Sequence, residues 1–191
     1  MANRNPSPGD RYAEISVVML TVVALLAGWL LKYDVEHRSV PFEAAEIRAA
    51  PPKGWLQAEP VGDEVLHITD FSSPYGFGTV YILRKVPIGT DATSTQVSSL
   101  VALQHGQNLA AFRVLDQREV KVYGRDAYEL NYVFVEANPD VTQNDLPDVV
   151  RGVDYIFLNG DHAIVASFQA DERNYEVDLR RFQYFLESVS F

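Results

Sequence analysis

The sequence predicts an α+β fold, an antiparallel sheet covered by helices, preceded by a single transmembrane helix. Three observations predict it. Residues 15–31, ISVVMLTVVALLAGWLL, hold no charge and no proline. Downstream, short segments alternate apolar and polar residues with the period of two that a pleated strand imposes. Two further segments, after residues 93 and 174, carry apolar residues at helical spacing instead.

A helix rises about 1.5 Å per residue and the hydrocarbon core is about 30 Å thick, so residues 15–31 cover roughly 25 Å. Tyr12 and Ala13 extend the run, and Arg11 and Lys32 can reach the two surfaces along their aliphatic stems. Tyr12, Trp29 and Tyr33 sit near the ends, where aromatic side chains favour the membrane interface. The expected division is a flexible tail at 1–11, a transmembrane helix at 12–33, a polar connector at 34–45 and an extramembrane domain at 46–191. A cleaved signal peptide has a shorter apolar core and a small-x-small site just after it. Here Lys32, Tyr33, Asp34 and Val35 follow, which favours an uncleaved anchor. The chain has no cysteine to lipidate. Thr21, Ala24 and Gly28 share one side of the helix. Small side chains there let a second membrane helix approach closely, although they are also common in such helices generally. Positive charges flank the helix almost equally, Arg4 and Arg11 before it, Lys32 and Arg38 after it. The expected layout is the usual one for a single-pass anchor: N-terminus cytoplasmic, C-terminal domain on the periplasmic or extracytoplasmic side.

The chain has a net charge of −10, all of it beyond residue 40, where 12 Lys and Arg stand against 22 Asp and Glu. An acidic domain of this kind argues against nucleic acid as a partner and against lying flat on anionic lipid. It suits a basic protein partner, or simply solubility.

Residues 47–50 could form a short strand before Pro51, Pro52 and Gly54 break the chain. Residues 64–70 alternate as a strand, with Leu66 and Ile68 on one face, and 78–86 read as a buried strand ended by Pro87 and Gly89. Thr93 and Gln96 have capping-box spacing, followed by Val97, Leu100, Val101 and Leu103 as a helical stripe running toward Ala110. Residues 118–123 alternate as a strand, and Gly124, Arg125 and Asp126 then form a turn. In 127–135, Tyr128, Leu130, Tyr132 and Phe134 share one strand face. Asn159-Gly160 signals a two-residue hairpin turn inside 149–170. That turn would set Phe157 opposite His162, Ile156 opposite Ala163 and Tyr155 opposite Ile164. Both faces of the hairpin are apolar, so helices should cover the sheet on both sides. Asp171 or Asn174 caps a last helix with the stripe Tyr175, Leu179, Phe182 and Leu186, its polar side including Asp178, before residues 188–191 return to the sheet.

The combination resembles the PsbP-like family of α/β/α sandwiches. The pieces are Pro52-Lys53-Gly54-Trp55, the helix after Val86-Pro87, and Val120 to Tyr128 with Gly124 three residues before Ala127. The hairpin ending at Phe168 and the close Glu187-Ser188-Val189-Ser190-Phe191 complete it. The likeness implies a mostly non-catalytic, exported or lumenal accessory protein that binds a larger assembly, as in the photosynthetic oxygen-evolving complex. A retained anchor departs from that family.

Chemistry-bearing motifs do not emerge. There is no Gly-x-Ser-x-Gly elbow, and Gly76-Phe77-Gly78 leads into a strand rather than a phosphate-binding helix. Without cysteine there is no haem-attachment or iron–sulfur motif. His37, His67, His105 and His162 are scattered; His162 is read as stacking on Phe157. Asp140, Asn144, Asp145 and Asp148 lack EF-hand spacing and read as a solvated or partner-facing loop. No cofactor or metal is therefore expected. The expectation is a non-catalytic, membrane-anchored accessory subunit stabilising a larger membrane protein complex, with the resemblance suggesting a respiratory or photosynthetic electron-transfer complex. Its partners would be other subunits of that complex and the lipid bilayer. The alternative is an anchored small-ligand-binding or sensor module, with Tyr128, Tyr132, Phe134, Tyr155 and Phe157 lining a pocket.

Overall fold

The computed structural model describes residues 8–36, 39–73, 76–136 and 147–191; within the first helix, side chains are described for 16–30. The chain divides into two units, 1–39 and 40–191.

The first unit is one helix, α1 (Pro8–Glu36). It starts at a proline, whose fixed φ suits the first helical turn, and so takes in residues 8–11 that the sequence assigned to a tail. Its described apolar side chains are exposed all round, from Val17 at 65% through Leu20 at 71% and Leu25 at 69% to Leu30 at 58%. Among the residues with described side chains, no helix is long and apolar enough to cross a membrane.

The second unit opens with a hairpin, β1 (Phe42–Ala44) and β2 (Ile47–Ala49), that turns on Ala45 and Glu46, both at positive φ. The folded unit therefore reaches into the stretch expected to be a polar connector. A seven-stranded, wholly antiparallel sheet follows, in the order β3-β4-β5-β9-β8-β7-β6. Its strands are β3 (Leu56–Gln57), β4 (Glu64–Asp70), β5 (Thr79–Pro87), β6 (Arg113–Val122), β7 (Arg125–Glu136), β8 (Asp148–Asn159) and β9 (His162–Asp171). Helices α2 (Ser94–Asn108) and α3 (Tyr175–Glu187) lie on opposite faces. This is the α+β arrangement expected, with antiparallel strands covered on both sides.

Strand parity builds the two layers. Leu130, Tyr132, Phe134, Ile156 and Val165 pack with Val97 and Val101 of α2. Tyr81, Leu83, Tyr155, Phe157 and Phe168 pack with Phe182, Phe185 and Leu186 of α3. Trp55 lies 4.4 Å from the Tyr81 ring and closes the α3 layer from β3's side. The capping box forms as spaced: Gln96 N donates to Thr93 Oγ1 and Thr93 N to Gln96 Oε1, worth about 1 kcal/mol.

Several elements differ from the sequence reading. The β8–β9 turn is Gly160-Asp161, not Asn159-Gly160, so Asn159 pairs with His162, Phe157 with Ile164 and Tyr155 with Ala166. Gly160 alone takes positive φ (66°), which suits glycine at the first position of a type II′ turn. The pairing slips by two residues, so each side chain keeps its expected face. His162 does not stack on Phe157; its Nδ1 meets Asp161 at 2.9 Å, while Arg125 lies over the Phe157 ring at 4.9 Å. The β6–β7 turn is Tyr123-Gly124, with φ of 49° and 79°, and Arg125 and Asp126 already belong to β7. Leu100 and Leu103 face outward at 43% and 59% exposure; the buried side of α2 is Val97, Ser98, Val101 and His105. Asp178 is buried rather than solvated and accepts from Thr79 Oγ1 and Asn174 Nδ2, both at 2.6 Å. The C-terminal segment pairs with the small sheet, Ser190 bridging Arg48, not with the main one.

Gly152 of β8 is directly opposite Tyr132 of β7, and a Cβ there would lie 2.3 Å from the Tyr132 ring. The missing side chain lets Tyr132 lie flat across β8 toward β9. Gly152→Ala should cost about 2–3 kcal/mol of stability by overpacking, measured by urea unfolding followed at Trp55. In a Tyr132→Leu background the same substitution should cost far less.

Candidate functional site

The residues singled out in α1 are placed simply. Thr21 Oγ1 donates to the Val17 carbonyl at 2.9 Å, so its hydroxyl is satisfied within the helix and does not burden an apolar surface. Nothing approaches within 4 Å of where a Gly28 side chain would start. At 100° per residue, positions 21, 24 and 28 lie on one narrow arc. Trp29 is 62% exposed. The side chains of Tyr12 and Tyr33 lie outside the described residues, as do His37, Asp140, Asn144 and Asp145. Asp148, the last member of that acidic set, accepts from Arg173 Nη2 at 2.7 Å.

The five aromatics considered as a pocket lining are divided by strand parity. Tyr128, Tyr132 and Phe134 face α2, whereas Tyr155 and Phe157 face α3. They cannot line one pocket, because the sheet lies between them.

The chemically richest place in the domain lies under α2, in the middle of an otherwise apolar layer. Asp154 of β8 is fully buried, and His105 Nε2 reaches its Oδ2 at 2.7 Å. Arg84 Nη2 of β5 lies 3.9 Å from the same oxygen and donates to Ser167 Oγ at 3.2 Å. Tyr132 OH donates to Asp154 Oδ1 at 3.3 Å and accepts from Gln169 Nε2 at 3.0 Å. Four strands and one helix thus converge on one carboxylate. The register explains how: Asp154 pairs with Ser167, and Gln169 with Gly152, whose bare backbone the Tyr132 ring crosses.

Burial alone would push the Asp154 carboxyl up, but the His105 hydrogen bond and the charges of His105 and Arg84 more than offset it and hold it below the ordinary carboxylate range. An ionised carboxylate only accepts hydrogen bonds, so His105 carries its proton on Nε2. Burial, with the Asp154 charge second, pushes the Tyr132 phenol well above its usual value, so it stays a donor. A His–Asp pair orients an imidazole in many hydrolases through Nδ1, leaving Nε2 for the nucleophile. Here Nε2 itself is turned inward onto the carboxylate, and the ring lies between Tyr132 at 4.7 Å and Phe112 at 5.6 Å. This geometry ties a helix to a sheet. Sequence reasoning passed over His105, yet it stands at i+8 and i+4 from Val97 and Val101 and continues their stripe.

No protein-family profile and no curated protein sequence matches the chain. Among solved structures, the chain is similar to cyanobacterial PsbP from Synechocystis sp. PCC 6803, at 13% identity and TM-score 0.57, covering 80% of this chain and 92% of that one. It is also similar to a protein of Bacteroides thetaiotaomicron, at 11% identity and TM-score 0.50, covering 80% of this chain and 48% of the other. A third, the Saccharomyces cerevisiae Ran-binding protein Mog1p, has 10% identity and TM-score 0.48 over 80% of this chain and 94% of that one. At these identities the likeness is one of fold: the unit 40–191 has a PsbP-like fold.

Asp154→Asn removes the charge that Arg84 and His105 face, and should destabilise the domain by about 3–5 kcal/mol at neutral pH. The folded pKa of Asp154 lies below its unfolded value of about 3.9, so its stabilisation is complete above that pH and is lost as pH falls through the folded value. Urea midpoints measured from pH 7 down to pH 2 should converge for the parent chain and the variant at the acid end.

Proposed function

We propose that this protein is a non-catalytic accessory subunit, anchored in a membrane by α1 and stabilising a larger membrane protein complex through its PsbP-like domain. The observation that carries the reading is the state of α1. From residue 16 to 30 its apolar side chains, Leu20 and Leu25 among them, are exposed around the whole circumference. A helix apolar on every side needs an apolar surrounding, lipid or other membrane helices. Residues 16–30 cover roughly 22 Å, most of the thickness of a hydrocarbon core.

Two further facts support it. The fold is shared with cyanobacterial PsbP, and a respiratory or photosynthetic electron-transfer complex is the host that this likeness favours. The domain's charged centre is closed under α2 and spent on holding the fold, which leaves its surfaces for contact. In this reading Thr21, Ala24 and Gly28 form the helix-packing side, and Tyr12, Trp29 and Tyr33 set depth at the two interfaces. The N-terminus is cytoplasmic and the domain extracytoplasmic.

Native membranes extracted with alkaline carbonate should retain the protein, and mild detergent should release it in a large assembly on a native gel. Release into the carbonate supernatant would remove the anchor. Recovery solely as a monomer would remove the accessory role. Ala24→Leu with Gly28→Leu should leave the protein in the membrane and reduce its share in the assembly.

A further inference from the structure

Helix α2 turns its one titratable side chain inward and shows solvent a surface without charge. Residues 92–112 hold no Asp, Glu, Lys or Arg, in a chain of which 22% of the residues are charged. At about 100° per residue, Gln96, Leu100, Leu103 and Gln107 fall within an arc of about 60°, on the side away from the buried Val97, Val101 and His105. All four are exposed, Leu100 by 43% and Leu103 by 59%. Gln96 spends its Oε1 on the capping box, which leaves its Nε2 hydrogens without a partner among the described residues.

This stripe reads the same in both directions. Its side chains run Gln, Leu, Leu, Gln, with gaps of four, three and four residues, the spacing at which two helices interlock along a seam. Two-fold symmetry sets residue i of one copy against j of the other, and j against i. With the axis midway between Leu100 and Leu103, each Leu100 meets Leu103 of the second copy, and each Gln96 meets Gln107 of the second copy, amide to amide. The missing charge matters as much. Each copy carries a net charge of −10, so two copies repel through most of their surface and least through this helix. A helix that lies on lipid presents Lys, Arg or aromatic side chains, and the stripe holds none.

We propose that α2 docks against α2 of a second copy, antiparallel, with the leucines at the centre and the glutamines at the ends. Two leucines a side make a small contact. It suffices where copies share a membrane, because confinement raises their local concentration far above that in solution. In that one respect the inference rests on the anchor of the accessory-subunit reading.

The chain has no cysteine, so single thiols report cleanly. One full-length copy carries Gln96→Cys and a co-expressed, differently tagged copy carries Gln107→Cys. Gln96→Cys keeps the Thr93 half of the capping box. Native membranes are oxidised with copper phenanthroline and then washed with alkaline carbonate. In the antiparallel pair the two thiols are level, whereas two thiols at 96, or two at 107, stand about 16 Å apart along the axis, beyond the roughly 7 Å between Cα atoms that a disulfide spans. We expect the 96–107 link in the washed pellet at least about fivefold above either self-link, and its loss when both copies also carry Leu103→Asp with unchanged melting temperature. In membranes that retain the chain, a self-link of equal yield, links to other polypeptides alone, no link, or indifference to Leu103→Asp overturns the docking and leaves the anchor in place. Release of the chain into the wash overturns the anchor, and with it the confinement that the docking needs.

Discussion

Strand β9 is hydrogen-bonded to β5 on one side and to β8 on the other, and almost every one of its residues is buried. Because successive side chains of a strand point to opposite faces, that double pairing decides what each helix meets. Ile164, Ala166 and Phe168 go to α3; Ala163, Val165, Ser167 and Gln169 go to α2. A slip of one residue would exchange the layers, exposing Phe168 to the polar cluster and driving Gln169 into an aromatic core. The two-residue difference between the expected and observed β8–β9 register is harmless for the same reason: it preserves parity.

Within the α2 layer, apolar packing alone leaves a helix free to settle in more than one register. The bond from His105 to Asp154 does not. It fixes which turn of α2 sits over β8, the position at which Arg84, Tyr132, Ser167 and Gln169 gather around the same carboxylate. A buried ionic group of this kind contributes less to net stability than apolar residues of equal volume would, but its loss leaves an uncompensated charge. The arrangement depends on Gly152, the one place where backbone is bare enough for the Tyr132 ring to cross a strand.

The opposite face follows another logic. There the cluster around Phe182 is aromatic, with the Phe168 and Phe182 rings stacked 5.2 Å apart, and Asp178 enters with Thr79, Asn174 and Arg181 meeting its carboxylate.

The sequence by itself determined what local periodicity and spacing encode. The uncharged run in α1, the alternation of β4 and β7, the capping box at Thr93 and the apolar stripe of α3 are all local, so each was legible without neighbours. The two-sided cover of the sheet was legible too, because both faces of the β8–β9 hairpin are apolar. Only the tertiary structure decided what depends on residues distant in the chain. Asp154 and His105 lie 49 positions apart, and nothing near either announces the other. Asp178 looked solvated on its helix because Thr79 is 99 positions away. The outward turn of Leu100 and Leu103 rests on which side of α2 meets the sheet, and the start of β6 on which strands pair. Long-range hydrogen bonding sets that pairing, and no single window of sequence carries it.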